Sequence, residues 1–101
     1  MLLSDKLKEL REEIKQPQRK VAAALDIDTA TYSKIENGKY IPNRDFVIRL
    51  ATYFGCNSGQ LIKLWLVDRV VEVVKDEQVA SESLKLAVRV VDKSIFDLKR
   101  V

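Results

Sequence analysis

Residues 18–61 read QRKVAAALDIDTATYSKIENGKYIPNRDFVIRLATYFGCNSGQL, and the fold is decided by where that stretch is interrupted. Pro17, just before it, lacks a backbone donor and suits a first helical turn, so a helix starts there and runs through Gln18 to Leu25. Three consecutive alanines, Ala22 to Ala24, keep that helix slim enough for close packing. Asp26-Ile27-Asp28 breaks the run, and the Asp28 carboxylate can accept a backbone N–H to start another helix, Thr29 to Asn37, closed by Gly38. After Lys39-Tyr40-Ile41-Pro42, Asn43 caps a further helix through Phe46, Val47, Leu50, Ala51 and Phe54, which Gly55 ends. Ser58 then opens the next.

Working outward, residues 5–15 repeat Leu7, Leu10, Arg11 and Ile14 at helical spacing, with Ser4 placed to cap the start. On the other side, the helix from Gln60 to about Lys75 is apolar around much of its circumference. That is more apolar surface than one small core absorbs. A last helix follows the acidic Asp76-Glu77 break, beginning at Val79 or Ser83 and reaching Leu98. The Val-rich runs at 67–74 and 88–91 favour strands by propensity, but charges recur in them at helical spacing and no Gly or Asn-Gly turn separates them. The expected fold is all-α.

The chain has 101 residues, 18 Lys plus Arg against 15 Asp plus Glu, one Cys and no His. Without His, Ser-His-Asp and Cys-His catalysis are excluded, and one Cys makes neither a disulfide framework nor a thiolate cage. Asp76, Glu77 and Glu82 read as solvated helix ends rather than a hydrolytic carboxylate pair, and Cys56 as a small core residue. No enzymatic activity, metal site or cofactor is expected. The opening MLLSDKLKEL lacks the basic start and apolar run of a secretory signal, and charges interrupt Leu61 to Val74 too often for a membrane span. A cytoplasmic protein with no membrane partner is expected. A net charge of +3 is too small to argue for an anionic partner by itself.

Two short helices joined by a tight turn, the second polar on one side, form the arrangement that sets a recognition helix in the major groove of DNA. Residues 18–37 have that layout. Gln18, Ala22, Leu25, Ile27, Ser33, Ile35, Glu36, Asn37-Gly38-Lys39, Pro42, Leu50-Ala51 and Gly55 stand at spacings that resemble the helix-turn-helix domain of the Cro and cI phage repressors, the XRE family. The resemblance covers about residues 5–61 and implies a five-helix, lambda-repressor-like domain. Asp26 departs from it where the family usually has Gly, and Asp tolerates the left-handed backbone the turn requires. Tyr32 departs where the family prefers Ile or Val.

The resemblance further implies that Gln18 bonds a DNA phosphate while bracing the recognition helix, and that Arg11 and Glu36 form a structural ion pair. In this frame Tyr32 and Ile35 face the core, leaving Thr29, Ala30, Ser33, Lys34 and Asn37 toward the groove with Thr31 alongside. Lys34 can donate to guanine, the Ala30 and Thr29 methyls can touch a thymine methyl, and Ser33 can pair in either sense. The expected base-reading set is Thr29, Ala30, Thr31, Ser33 and Lys34. Phosphates fall to Gln18, Arg19, Asn37, Lys39, Tyr40 and Arg44.

Residues 62–101 lie outside the resemblance and are read as a helical dimerisation extension of a DNA-binding domain at 1–61. Its expected interface is Trp65, Leu66, Val70, Val73 and Val74 with Leu84, Val88, Val91, Ile95 and Leu98. A two-fold homodimer would place two recognition helices about one DNA turn apart, near 34 Å, over a palindromic operator. The function expected of double-stranded DNA, homodimer and sequence together is a small autoregulatory repressor, such as a restriction-modification controller. The alternative is an antitoxin whose C-terminal part binds a toxin protein.

Overall fold

The structure, a computed structural model, describes the backbone of residues 1–99 and the side chains of residues 1–95. Among the described residues there are six helices and no strand. They are α1 (Leu2–Glu13), α2 (Gln18–Ala24), α3 (Thr29–Glu36), α4 (Arg44–Phe54), α5 (Ser58–Val74) and α6 (Ala80–Lys99). Two compact units result, one from Met1 to Val70 and one from Val71 onward. The expected division after residue 61 therefore falls inside α5.

The first unit closes around one core. Leu3 and Leu7 come from α1, Val21 and Ala22 from α2, Tyr32 and Ile35 from α3, Val47, Leu50 and Ala51 from α4, and Leu61 and Trp65 from α5. Leu25 joins them from the end of α2. Trp65 is 5% exposed and its indole Nε1 donates to the Pro42 carbonyl at 2.7 Å, with the Arg69 guanidinium over the ring at 4.7 Å. That placement corrects its assignment to a dimer surface. An indole has one donor to satisfy when buried, and the loop before α4 supplies the acceptor.

The helix boundaries follow local chemistry closely between α2 and α4. Pro17 has ψ 158° and stands one residue outside α2 as its cap. Asp26 occupies the left-handed region at φ 59°. Asp28 accepts from the Thr31 amide at 2.6 Å and Asn43 from the Phe46 amide at 2.9 Å, so both side chains fill orphan donors at the helix starts. At the end of α3, Gly38 takes φ 75°, letting its own N–H reach the Ile35 carbonyl and the Lys39 N–H reach Lys34. A methyl group added at Gly38 would stand 3.4 Å from Met1 Sδ and Ser4 Oγ, besides straining the backbone.

Two expected caps are replaced. Ser4 lies inside α1, buried, with its hydroxyl donating to the Met1 carbonyl at 2.9 Å. The free amides at the start of α1 donate instead to Asp68 on α5, Leu2 N to Oδ1 and Leu3 N to Oδ2, each at 2.9 Å. A carboxylate that takes two orphan N–H groups at the positive end of a helix does more than a hydroxyl can. At α5, Asn57 accepts the Gln60 amide at 3.2 Å and serves as the cap in place of Ser58.

In the second unit, turn hydrogen bonds from Glu77 N to Val74 O at 2.9 Å and Ala80 N to Glu77 O at 3.2 Å carry the chain from α5 into α6. The apolar excess anticipated beyond residue 61 stays on the surface in both units. Leu66, Val67 and Val70 are exposed in the first, and Val71, Val73, Val88, Val91 and Ile95 in the second. Val74 and Leu84 are half-buried. The side chain of Leu98 lies outside those described.

Candidate nucleic-acid interface

The helix-turn-helix consists of α2 and α3 joined across Leu25 to Asp28. Successive residues of α3 turn through about 100° each, so a buried back fixes what faces out. Tyr32, Ile35 and Glu36 form that back. Ala30, Lys34 and the capping residue Asn37 are exposed on the opposite side, with Thr29 exposed at the flank. Ser33 is half-buried, and its Oγ accepts from Asn37 Nδ2 at 3.3 Å. Thr31 is also half-buried and lies on the other flank, lining a small hollow with Ile27, Ile35, Tyr40, Pro42 and Phe46. Among the expected base-reading residues, Ala30 and Lys34 stand furthest out, Thr29 and Ser33 beside them, and Thr31 at the margin.

Behind α3 sits a polar cluster. The Glu36 carboxylate is nearly inaccessible and accepts from Arg11 three times, from Nη2 at 2.7 Å and from Nε at 2.9 and 3.1 Å. Arg11 Nη1 donates to the Gln16 carbonyl at 2.9 Å, which ties the end of α1 to the approach to α2. Gln18 Nε2 donates to Glu36 Oε1 at 3.3 Å, so Gln18 braces the third helix with the same side chain assigned to a phosphate. Burial pushes the Glu36 carboxyl up, but hydrogen bonding from Arg11, followed by the neighbouring Tyr32 and Gln18 groups, outweighs it and holds the pKa below the usual value. Tyr32 Oη, buried in this cluster, makes no hydrogen bond of good geometry, and its pKa is pushed far above that of a free phenol, first by burial and then by the Glu36 carboxylate.

Arg19, Lys39, Tyr40 and Arg44, among the expected phosphate contacts, are all exposed, Tyr40 by 52%. Asn43 and Asp28, as caps, hold the first turns of α4 and α3 in place. Hydrogen bonding from the Thr31 amide keeps the Asp28 carboxyl below its ordinary pKa, so the cap stays charged. One brace carries no sequence signature. Arg49 Nη2 donates to the Leu25 carbonyl at 2.6 Å while its guanidinium lies 5.4 Å from the centre of the Phe46 ring, tying α4 to the end of α2. Tyr53 Oη also bonds the Gln16 side chain. An exposed Arg at the second turn of a helix gives no hint of a carbonyl 24 residues earlier.

Among the described residues no cluster of His, Cys, Asp and Glu could hold a metal ion, and no helix is long and apolar enough to cross a membrane. No curated protein and no solved structure gives a significant match to the chain. A helix-turn-helix family model matches residues 7–61, more than half of the chain, from the middle of α1 into α5. The match takes in the capped α3, its buried Tyr32-Ile35-Glu36 back and the brace from Arg11. With that span and that geometry together, the chain belongs to the helix-turn-helix family of the XRE, or Cro/cI, type and is a DNA-binding transcriptional regulator.

Proposed function

We propose that this regulator is a dimeric repressor that reads an inverted-repeat operator through α3 and acts by occupying promoter DNA. The observation that carries the reading is the outward face of α3, where Ala30 and Lys34 project from a helix whose back is locked by Tyr32, Ile35 and the Arg11–Glu36 pair. A short helix held this rigidly can present a Lys ammonium to guanine O6 and N7 and a methyl group to thymine. Thr29, Thr31 and Ser33 complete the base-reading set. Gln18, Arg19, Asn37, Lys39, Tyr40 and Arg44 supply phosphate contacts that fix register without reading sequence.

Only a few of these groups are cations, so a single copy neutralises few phosphates and binds weakly at physiological salt. Two copies on two half-sites supply the specificity that one lacks. The exposed valines of α5 and α6 support pairing of copies, because a monomer would leave them in water. Repression of this kind responds to the protein's own concentration or to a protein partner.

Lys34→Ala tests the reading. Measured by fluorescence anisotropy on an operator first selected from random DNA duplexes, it should weaken specific binding by about 10- to 100-fold, as loss of one base contact does, and relax preference at one base pair of each half-site. The oligomeric state should not change. Unchanged operator affinity would remove α3 from the base-reading role.

A further inference from the structure

Helix α6 is twenty residues long, and every side chain from Lys85 to Ile95 is exposed. Val88 is 58%, Val91 54% and Ile95 47% open to solvent. Helices in proteins draw most of their stability from packing of an apolar face, and Val88, Val90, Val91 and Ile95 are β-branched residues that form helices poorly on their own. The face needs a cover. Leu84, Val88, Val91 and Ile95 succeed one another at spacings of four, three and four, which makes a straight seam for a second helix. Lys85 and Asp92 flank the seam on one side, and Ala80, Ala87 and Ser94 on the other.

The flanks identify the occupant and its direction. Two copies of α6 running the same way would set Lys85 and Asp92 against Ala80 and Ala87 of the second copy, leaving both charges without a partner. Running oppositely, Leu84 layers on Ile95 and Val88 on Val91, and Lys85 of each copy comes beside Asp92 of the other. A two-fold axis makes both ion pairs at once, so the helix is complementary to itself in charge as well as in apolar spacing. We propose that the cover of α6 is α6 of a second copy, packed antiparallel with reciprocal Lys85–Asp92 pairs. This rests on the dimeric reading above and names the surface and geometry of that dimer.

The test uses the full chain with Cys56→Ser, so that introduced thiols stand alone. Leu84→Cys and Ile95→Cys variants are oxidised separately and as an equimolar mixture, with sedimentation equilibrium of the unsubstituted protein alongside. The antiparallel seam predicts a disulfide-linked dimer in the mixture and little in either variant alone, because like positions lie about 16 Å apart, eleven residues of helix. Efficient crosslinking of each variant with itself would establish the parallel pairing and overturn the proposal. A dimer that crosslinks in none of the three samples would place its interface off this seam, again overturning the proposal but leaving the dimeric reading intact. A monomer at high micromolar concentration would overturn both. As a second readout, Asp92→Lys should weaken dimerisation about tenfold at low salt by setting lysines together, and adding Lys85→Asp should restore it. No rescue by the double variant would remove the ion pairs.

Discussion

At the scale of single residues, two positions show opposite uses of an unusual environment. Asp26 holds φ 59° in the turn between α2 and α3, a conformation that costs an L residue about 1 kcal/mol and glycine almost nothing. Asp26→Gly should therefore stabilise the protein by up to about 1 kcal/mol in urea denaturation. A loss of stability would mean that the aspartate does more than tolerate the turn. Glu36 is the reverse case, a nearly inaccessible carboxylate kept charged by Arg11. Its folded pKa lies below its unfolded value of about 4.3, so its contribution is complete at higher pH and is lost as pH falls through the depressed value. Arg11→Met leaves the carboxylate buried with only Gln18 and Tyr32 near it and should cost about 3 kcal/mol at neutral pH. That penalty should shrink on acidification, because protonating Glu36 then relieves it, and a penalty independent of pH would mean that Arg11 acts through packing alone.

Among the elements, the N-terminus of α1 depends on a residue 65 positions away. Asp68 accepts the Leu2 and Leu3 amides and is itself 6% exposed, so a buried side chain of α5 caps α1. Asp68→Ala should cost about 1 to 2 kcal/mol and speed hydrogen exchange of the first-turn amides of α1 more than those of α3. Equal acceleration throughout would show only general loss of stability. The contrast with α3 and α4 explains what the sequence makes legible. Asp28 and Asn43 cap through amides three residues ahead, and Gly38 and Gly55 close helices through their own positive φ, so each signal and its effect share one short window. The outward and inward residues of α3 follow from the same local period. Asp68 and Arg49 act across 65 and 24 residues, and nothing in their neighbourhoods marks them as braces. Ser4 has the chemistry of a cap, but its place was taken by a carboxylate with stronger charge. Trp65 reads as surface only while Pro42 is not known to offer its carbonyl.

For the molecule as a whole, the first unit is a closed core that presents α3, and the second is a helix with an uncovered apolar face. That contrast is legible in outline, since residues 18–61 carry dense turn and cap signals and the valines beyond them exceed what one core holds. The border was not, because α5 runs continuously past it and its buried contacts extend to Trp65 and Asp68. As a dimeric repressor, the role proposed for it, the protein would read DNA as a pair of α3 helices without any other partner. Selection of binding sites from random DNA duplexes by the purified protein, at near-physiological salt, tests it most directly. A dimeric repressor should enrich an inverted repeat with half-sites about one helical turn apart. A single half-site, or no enriched sequence from folded and soluble protein, would contradict it.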